Sequence, residues 1–393
     1  FSASLSHFHN PAADPGLSYP AELREIASLE AARQARDDIA GWPGYAPTPL
    51  YDLSALAADA GLARIWYKDE SQRFHLKSFK ALGGAYAVSC VLRKEIEQQH
   101  GKTASIDDLI SGHYHELAAN TVISCATDGN HGRSVAWGCQ LFGCPCIIYI
   151  HKDVSEGRKQ AMEALGATVV RVDGNYDESV HQADSDAHTE GRVIVSDTSY
   201  PGYRDIPRDV ALGYTVMLSE AVAQMNSQIP THVFIQAGVG GLAAAVCAYF
   251  WELWGTQRPR FVVVEPEQAN CLQQSARAGE PVVVEGDLET LMAGLSCGEV
   301  SMLAWEILKT GADDFMTLSE DAVATCMQLL AKGDPPIEAG ESAIGGLAAV
   351  LAARGDGSMS TALGLDASSR VFVIGTEGAT DPELYQQLLE EPA

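Results

Sequence analysis

Through the middle of the chain, short runs of consecutive apolar residues alternate with segments whose apolar positions recur at helical spacing. The run Thr121-Val122-Ile123-Ser124-Cys125 predicts a buried strand, 131–142 a helix and 145–150 a second strand. Residues 155–165 again predict a helix, 168–172 an extended run and 176–188 a further helix, leading to the strand-like Arg192-Val193-Ile194-Val195-Ser196. Strands that are apolar on both faces and separated by amphipathic helices imply a parallel sheet covered on both sides, because parallel strands need a crossover between them.

A second series of the same kind follows. Residues 231–235 lead into a glycine loop and an apolar helix, then come the strands 261–265 and 371–374. The chain therefore reads as two α/β units. The strand-like segment 63–67 belongs with the second series, which makes the first series an insertion. The expected organisation is a large unit of residues 1–85 and 213–393 and a small inserted unit of residues 86–212.

Charge and composition narrow the partners. With 26 Lys+Arg against 52 Asp+Glu the net charge is −26, which argues against nucleic acid or an anionic membrane as partner. No apolar run approaches the roughly 20 residues that span a bilayer. The start, Phe1-Ser2-Ala3-Ser4-Leu5, lacks the basic flank and apolar stretch of a signal peptide, so a cytoplasmic location is expected. Nine cysteines lie scattered through the apparent strands and helices, as small core residues do. Cys144-Pro145-Cys146 sits in an apolar strand without a second ligand pair, and no metal site is read from it.

Three segments carry chemistry. In Ser78-Phe79-Lys80-Ala81-Leu82-Gly83-Gly84-Ala85-Tyr86, Lys80 stands at a glycine-rich helix start. An aldehyde cofactor needs an amine that can lose its proton, partial desolvation and small neighbours, and Lys80 meets these conditions; the alternative is a solvated surface lysine. Ala126-Thr127-Asp128-Gly129-Asn130-His131-Gly132-Arg133 follows a strand and opens a helix, where open parallel sheets bind ligands. There Asn130 can hydrogen-bond a phenolic oxygen and Asp128 is a carboxylate beside a helix N-terminus, or both serve only as caps. Gln236-Ala237-Gly238-Val239-Gly240-Gly241-Leu242-Ala243 links a strand to a helix and suits a phosphate. It also fits a dinucleotide fingerprint, with Glu265 closing the next strand, so an NAD-dependent dehydrogenase is a competing reading.

Taken in order with Gly375-Thr376-Glu377-Gly378, these segments resemble the fold type II pyridoxal-phosphate enzymes, the tryptophan synthase β and threonine dehydratase superfamily. Leu291-Met292-Ala293-Gly294-Leu295-Ser296-Cys297-Gly298-Glu299 and Thr376-Glu377-Gly378-Ala379-Thr380-Asp381-Pro382 extend the resemblance to the 2,3-diaminopropionate ammonia-lyases, from about residue 51 to residue 382. The resemblance implies two parallel-sheet α/β domains with pyridoxal 5'-phosphate between them and a homodimer. It assigns Lys80, with Phe79 beside it, to the internal aldimine and Asn130 to the ring oxygen. Gly238, Val239, Gly240 and Gly241 would hold the phosphate, and Thr376 would face the pyridine nitrogen, although a serine at Gly375 would look equally natural. Cys271 and Cys297 match two cysteines that lie close together in those lyases, here expected as reduced thiols.

The implied activity is α,β-elimination of 2,3-diaminopropionate, L and also D, to pyruvate and two ammonias through an aminoacrylate. Asp128 stands where dehydratases carry a small neutral residue, and a carboxylate there would attract the β-ammonium of the substrate. Asp197, in Ser196-Asp197-Thr198, follows a strand and should reach the same sheet edge as a second base, or cap a turn. Lys77 is read as a solvated neighbour of Lys80, His131 is given no proton-transfer role, and 203–208 and 334–336 are read as loops bordering the site. A threonine or serine dehydratase and a β-replacement synthase share this fold and cofactor and stay open. Little chain follows Gly378, so the regulatory domain of allosteric dehydratases is not expected.

Overall fold

The computed structural model of the chain describes residues 1, 3–127 and 129–391. Its strands are β1 (Leu5–His9), β2 (Leu50–Asp52), β3 (Arg64–Asp69), β4 (Ile123–Ala126), β5 (Cys146–Ile150), β6 (Thr168–Arg171), β7 (Val193–Ile194), β8 (His232–Gln236), β9 (Arg260–Pro266), β10 (Asp314–Leu318) and β11 (Arg370–Gly375). They form a seven-stranded sheet of order β1-β10-β9-β8-β11-β3-β2 and a four-stranded sheet of order β6-β5-β4-β7. The four-stranded sheet is parallel throughout. In the larger sheet only the edge strands β1 and β2 run antiparallel to their neighbours.

The apolar runs read from the sequence became the interior strands, where both faces are covered. Val233, Phe234, Ile235, Val262, Val263 and Phe372 are fully buried. The segment 63–67 pairs with β11 through Ile65↔Val371 and Tyr67↔Val373, inside the larger sheet as expected. The strand β10 carries no such signal, because it begins at a buried charge. Arg260 donates to Asp314 through Nε at 2.6 Å and Nη2 at 2.9 Å, and His7 approaches the same carboxylate at 2.8 Å.

The chain divides into two compact units. One holds residues Phe1–Glu30, Pro47–Ser78 and Met217–Ala393, the other Ala31–Ala46 and Phe79–Val216. The sequence-based cut between 85 and 86 falls inside the helix Lys80–His100. That helix packs closely on the helix Asn130–Phe142, where a Cβ on Gly138 would stand 2.7 Å from the Ala85 Cα. Residues 31–46 join the same unit through bonds that polar patterning does not announce. Arg93 clamps Asp38 at 2.6 and 2.8 Å, and the Trp42 ring meets Phe142 at 5.9 Å.

In the first unit a buried ionic network follows β3. Lys68 donates to Glu220 at 2.8 Å and to the Thr48 carbonyl at 2.7 Å, while Arg73 binds Glu70 at 2.8 Å and Glu220 at 2.9 Å. Two cations facing two carboxylates leave the cluster close to neutral, the condition under which charges tolerate burial. Burial lowers the Lys68 pKa, and the carboxylates of Glu70 and Glu220 oppose that drop. Directly after this anchor the backbone turns left-handed at Phe74 (φ 48°), His75 (φ 60°) and Lys77 (φ 58°). Non-glycine residues hold such angles only where their surroundings over-determine them. The anchor on one side and the Gly378 N–H bond to the Lys77 carbonyl (3.0 Å) on the other fix this turn. Among the described residues, no helix is long and apolar enough to cross a membrane.

Candidate active site

Lys80 opens its helix, and its Nζ lies 2.6 Å from Asp197 Oδ2. Asp197 stands just beyond β7, at the carboxyl end of a parallel strand, as its sequence context predicted. Burial opposes its ionisation, but the Lys80 ammonium outweighs burial and holds the carboxyl well below the usual carboxylate range. His131 lies in the same cluster, with Nε2 2.8 Å from the Val195 carbonyl and Nδ1 3.8 Å from Asp197 Oδ2. Burial lowers the His131 pKa, with Asp197 pulling the other way.

Phe79 is buried and its ring packs on Tyr214 with centroids 4.7 Å apart. The glycines beside Lys80 have a different purpose from the one expected. A Cβ on Gly83 would run into the Tyr214 ring and come within 2.7 Å of the Val210 carbonyl, and one on Gly84 would press on Ser134. They make room for helix packing. Asn130 begins the helix Asn130–Phe142, and just before it the Thr127 Oγ1 accepts from the Gly129 and Gly132 N–H groups at 3.2 Å. Asp128 lies outside the described residues. Lys80, Phe79, Asn130 and Asp197 all belong to the second unit, whereas the glycine loop and Thr376 belong to the first.

The glycine loop joins β8 to the helix Gly241–Trp254. Gly240 is left-handed at φ +97°, and a Cβ on Gly238 would stand 2.9 Å from Cys297 Sγ. Among the described residues nothing accepts a hydrogen bond from the N–H groups of Gly238, Val239 and Gly240. Unmatched N–H groups at a helix start form an anion cradle.

Thr376 follows β11 and is buried. Gln236, which the sequence reading passed over, sets its polarity. The Gln236 Nε2 donates to the Ile374 carbonyl (2.8 Å), the Ala343 carbonyl (3.0 Å) and Thr376 Oγ1 (3.1 Å), and its Oε1 accepts from the Gly346 N–H. Carbonyls only accept, so the amide cannot be flipped. Thr376 therefore accepts from Gln236 and turns its own proton away, toward the Ser342 carbonyl at 3.4 Å or toward a ligand. A polar residue closing an otherwise apolar strand was the available signal. Gly375 admits no serine in place, because a Cβ there would collide with the Tyr67 ring and hydroxyl.

The remaining candidates sort cleanly. The Glu265 carboxylate accepts the Leu272 and Gln273 N–H groups at 2.7 and 2.8 Å, so it caps the helix Cys271–Ala278 and is not open to a ribose. Burial raises its pKa to about 8 despite those bonds. Cys271 and Cys297 are both unoxidised and both adjoin Gly238. Lys77 pairs with Glu338 at the surface, at 2.9 Å. Residues 203–208 are only partly loop, because a helix, Asp205–Gln224, starts within them.

Residues 42–371 match the family of pyridoxal-phosphate dependent enzymes. The chain belongs to that family. It is 39% identical to the diaminopropionate ammonia-lyase of Escherichia coli K12 over 369 residues, 92% of this chain and 90% of that protein. A structure of the Escherichia coli diaminopropionate ammonia-lyase with D-serine superposes with a TM-score of 0.90 at 35% identity, covering 99% of this chain and 98% of that one. Another, with an aminoacrylate-PLP azomethine reaction intermediate, gives a TM-score of 0.88 at 35% identity over 99% and 98% of the two chains. Each unit carries groups that the family's cofactor calls for: the second an amine at Lys80, the first a cradle of unmatched N–H groups at 238–240 and the hydroxyl of Thr376. The dehydrogenase reading falls with Glu265.

Proposed function

We propose that this chain eliminates the β-amine of 2,3-diaminopropionate, releasing pyruvate and two molecules of ammonia. The observation that carries this reading is the 39% identity with the Escherichia coli diaminopropionate ammonia-lyase across 92% of the chain. Pyridoxal phosphate, when bound, supplies the electron sink that acidifies Cα. In this reading Lys80 holds the cofactor through Nζ, with Phe79 beside it. The N–H groups of Gly238, Val239, Gly240 and Gly241 bind the phosphate, Asn130 the ring oxygen, and Thr376 donates to the pyridine nitrogen.

A neutral hydroxyl giving its proton to that nitrogen would leave it largely unprotonated and would favour prompt loss of a β-substituent over transamination. The freed Lys80 amine takes the Cα proton of one enantiomer and Asp197 or Asp128, on the opposite face of the substrate, that of the other, so L and D substrates are both accepted. Asp128 attracts the β-ammonium, which leaves as neutral ammonia with the electron pair of the broken C–N bond. Water then hydrolyses the released unsaturated amine to pyruvate and the second ammonia.

The test is a comparison of kcat/KM for L- and D-2,3-diaminopropionate, serine and threonine on protein reconstituted with pyridoxal phosphate. Diaminopropionate preferred by roughly a hundredfold or more, the scale a desolvated charge pair supplies, supports the reading. Serine or threonine preferred would make the chain a dehydratase. The reading also places a homodimer in the cytoplasm, where nine free thiols stay reduced. Light scattering and cell fractionation test those two points.

A further inference from the structure

His131 is buried beside Asp197, yet half of its ring has no hydrogen bond. Its Nε2 faces the Val195 carbonyl at 2.8 Å. A carbonyl can only accept, so Nε2 carries the proton, and in the neutral ring Nδ1 carries a lone pair. That lone pair points at Asp197 Oδ2 from 3.8 Å, and among the described residues nothing hydrogen-bonds it. Two lone pairs face each other across this gap, while the same Asp197 oxygen accepts from Lys80 at 2.6 Å. A buried polar atom left in this state needs a reason.

We propose that His131 is a positioning residue for proton abstraction by Asp197: its Nδ1 is unmatched at rest and gains a hydrogen bond only when Asp197 holds the substrate's Cα proton. The C–H electron pair stays with the substrate, the proton moves to Oδ2, and the resulting O–H donates to Nδ1. The contact is worth nothing before the proton moves and a full buried hydrogen bond afterwards, the differential interaction that lowers a barrier. Lys80 cannot play this part, because an ammonium stabilises the ionised carboxylate. The other titratable groups that sense the Asp197 charge, Cys125, Tyr203 and Tyr214, are held neutral by burial and carry protons of their own.

The inference rests on the reading of Asp197 as the base for one enantiomer of diaminopropionate, which gives the test its internal control. The variant His131→Gln keeps an amide donor for the Val195 carbonyl but has nothing at the Nδ1 position. The expected result is a loss of kcat of roughly tenfold or more, the worth of one buried hydrogen bond to an ionisable group, for one enantiomer alone. A larger Cα-deuterium isotope effect should accompany it, with KM, the melting temperature and the visible band of bound cofactor unchanged. His131→Asn, which places a carbonyl oxygen near the lost Nδ1, should recover part of that loss.

Independently of activity, ¹⁵N spectra of the ring-labelled resting protein should show Nδ1 as the unprotonated nitrogen. An equal loss for both enantiomers, no loss for either, or a protonated Nδ1 at rest would overturn the proposal. A wild-type chain that turns over neither enantiomer would overturn the functional reading and this inference with it.

Discussion

Replacing Thr376 by valine removes one hydroxyl and leaves the shape of the side chain intact. Gln236 keeps both of its carbonyl acceptors, Ile374 at 2.8 Å and Ala343 at 3.0 Å, so its amide protons stay matched. The Ser342 carbonyl loses only a long bond of 3.4 Å. The variant should therefore lose about 1 kcal/mol of stability or less. Its loss at the cofactor is larger relative to what is at stake: one hydrogen bond to the ring nitrogen, about 0.5–1.5 kcal/mol, or roughly two- to thirteenfold in Kd. Gln236→Leu inverts this balance. It strips donors from two buried carbonyls at about 1–3 kcal/mol each, so its penalty should appear first in folding. The assay is titration of the apo protein with pyridoxal phosphate, followed by absorbance, alongside chemical denaturation of each variant. A Thr376→Val protein that binds the cofactor as tightly as the wild type, with unchanged kcat, would refute the assignment of Thr376 and the argument from its polarity.

Other perturbations test the scaffold beneath the site. Gly83→Ala forces a methyl against Tyr214 and the Val210 carbonyl and should cost about 1–3 kcal/mol by denaturant titration, the range of core overpacking; an unchanged midpoint would contradict that packing. Glu220→Leu leaves Lys68 and Arg73 one carboxylate short in a buried cluster. A loss of about 3–5 kcal/mol is expected, and one below about 1 kcal/mol would mean the network is far better solvated than its burial implies. Burial opposes ionisation of Asp314, but bonds from His7 and Arg260 lower its pKa from 3.8 to about 2. A depressed carboxylate stabilises the fold above its unfolded pKa. Its contribution, about 2 kcal/mol, should be complete above roughly pH 5 and vanish as pH falls through about 2. Asp314→Asn should remove that part of the acid dependence, which pH-resolved denaturation would show.

Much of the architecture was legible because parallel strands buried on both faces leave continuous apolar runs, and 233–235, 261–264 and 371–374 are such runs. The edge strands β1 and β2 leave no such run, and β10 starts with an aspartate whose partner, Arg260, lies 54 residues away. No local pattern reveals such a pair. The same limit explains the unit boundary: Asp38 and Arg93 join 31–46 to the helix Lys80–His100 through a contact that only the fold creates.

At the site, Lys80 and Asp197 were readable because each sits where a motif or a strand end puts it, and the structure brings them to 2.6 Å. The glycines of Gly83-Gly84 were legible as small but not as helix-packing residues. Gln236, Thr127 and the open face of His131 act through hydrogen-bond direction, a property of three-dimensional arrangement that residue type alone does not encode.

The most direct test of the central claim is the product ratio from L-2,3-diaminopropionate, with ammonia and pyruvate measured in the same reaction and Lys80→Ala as control. The account predicts two ammonias for each pyruvate with the wild type and neither product with the variant. One ammonia per pyruvate, or pyruvate formed without Lys80, would contradict it.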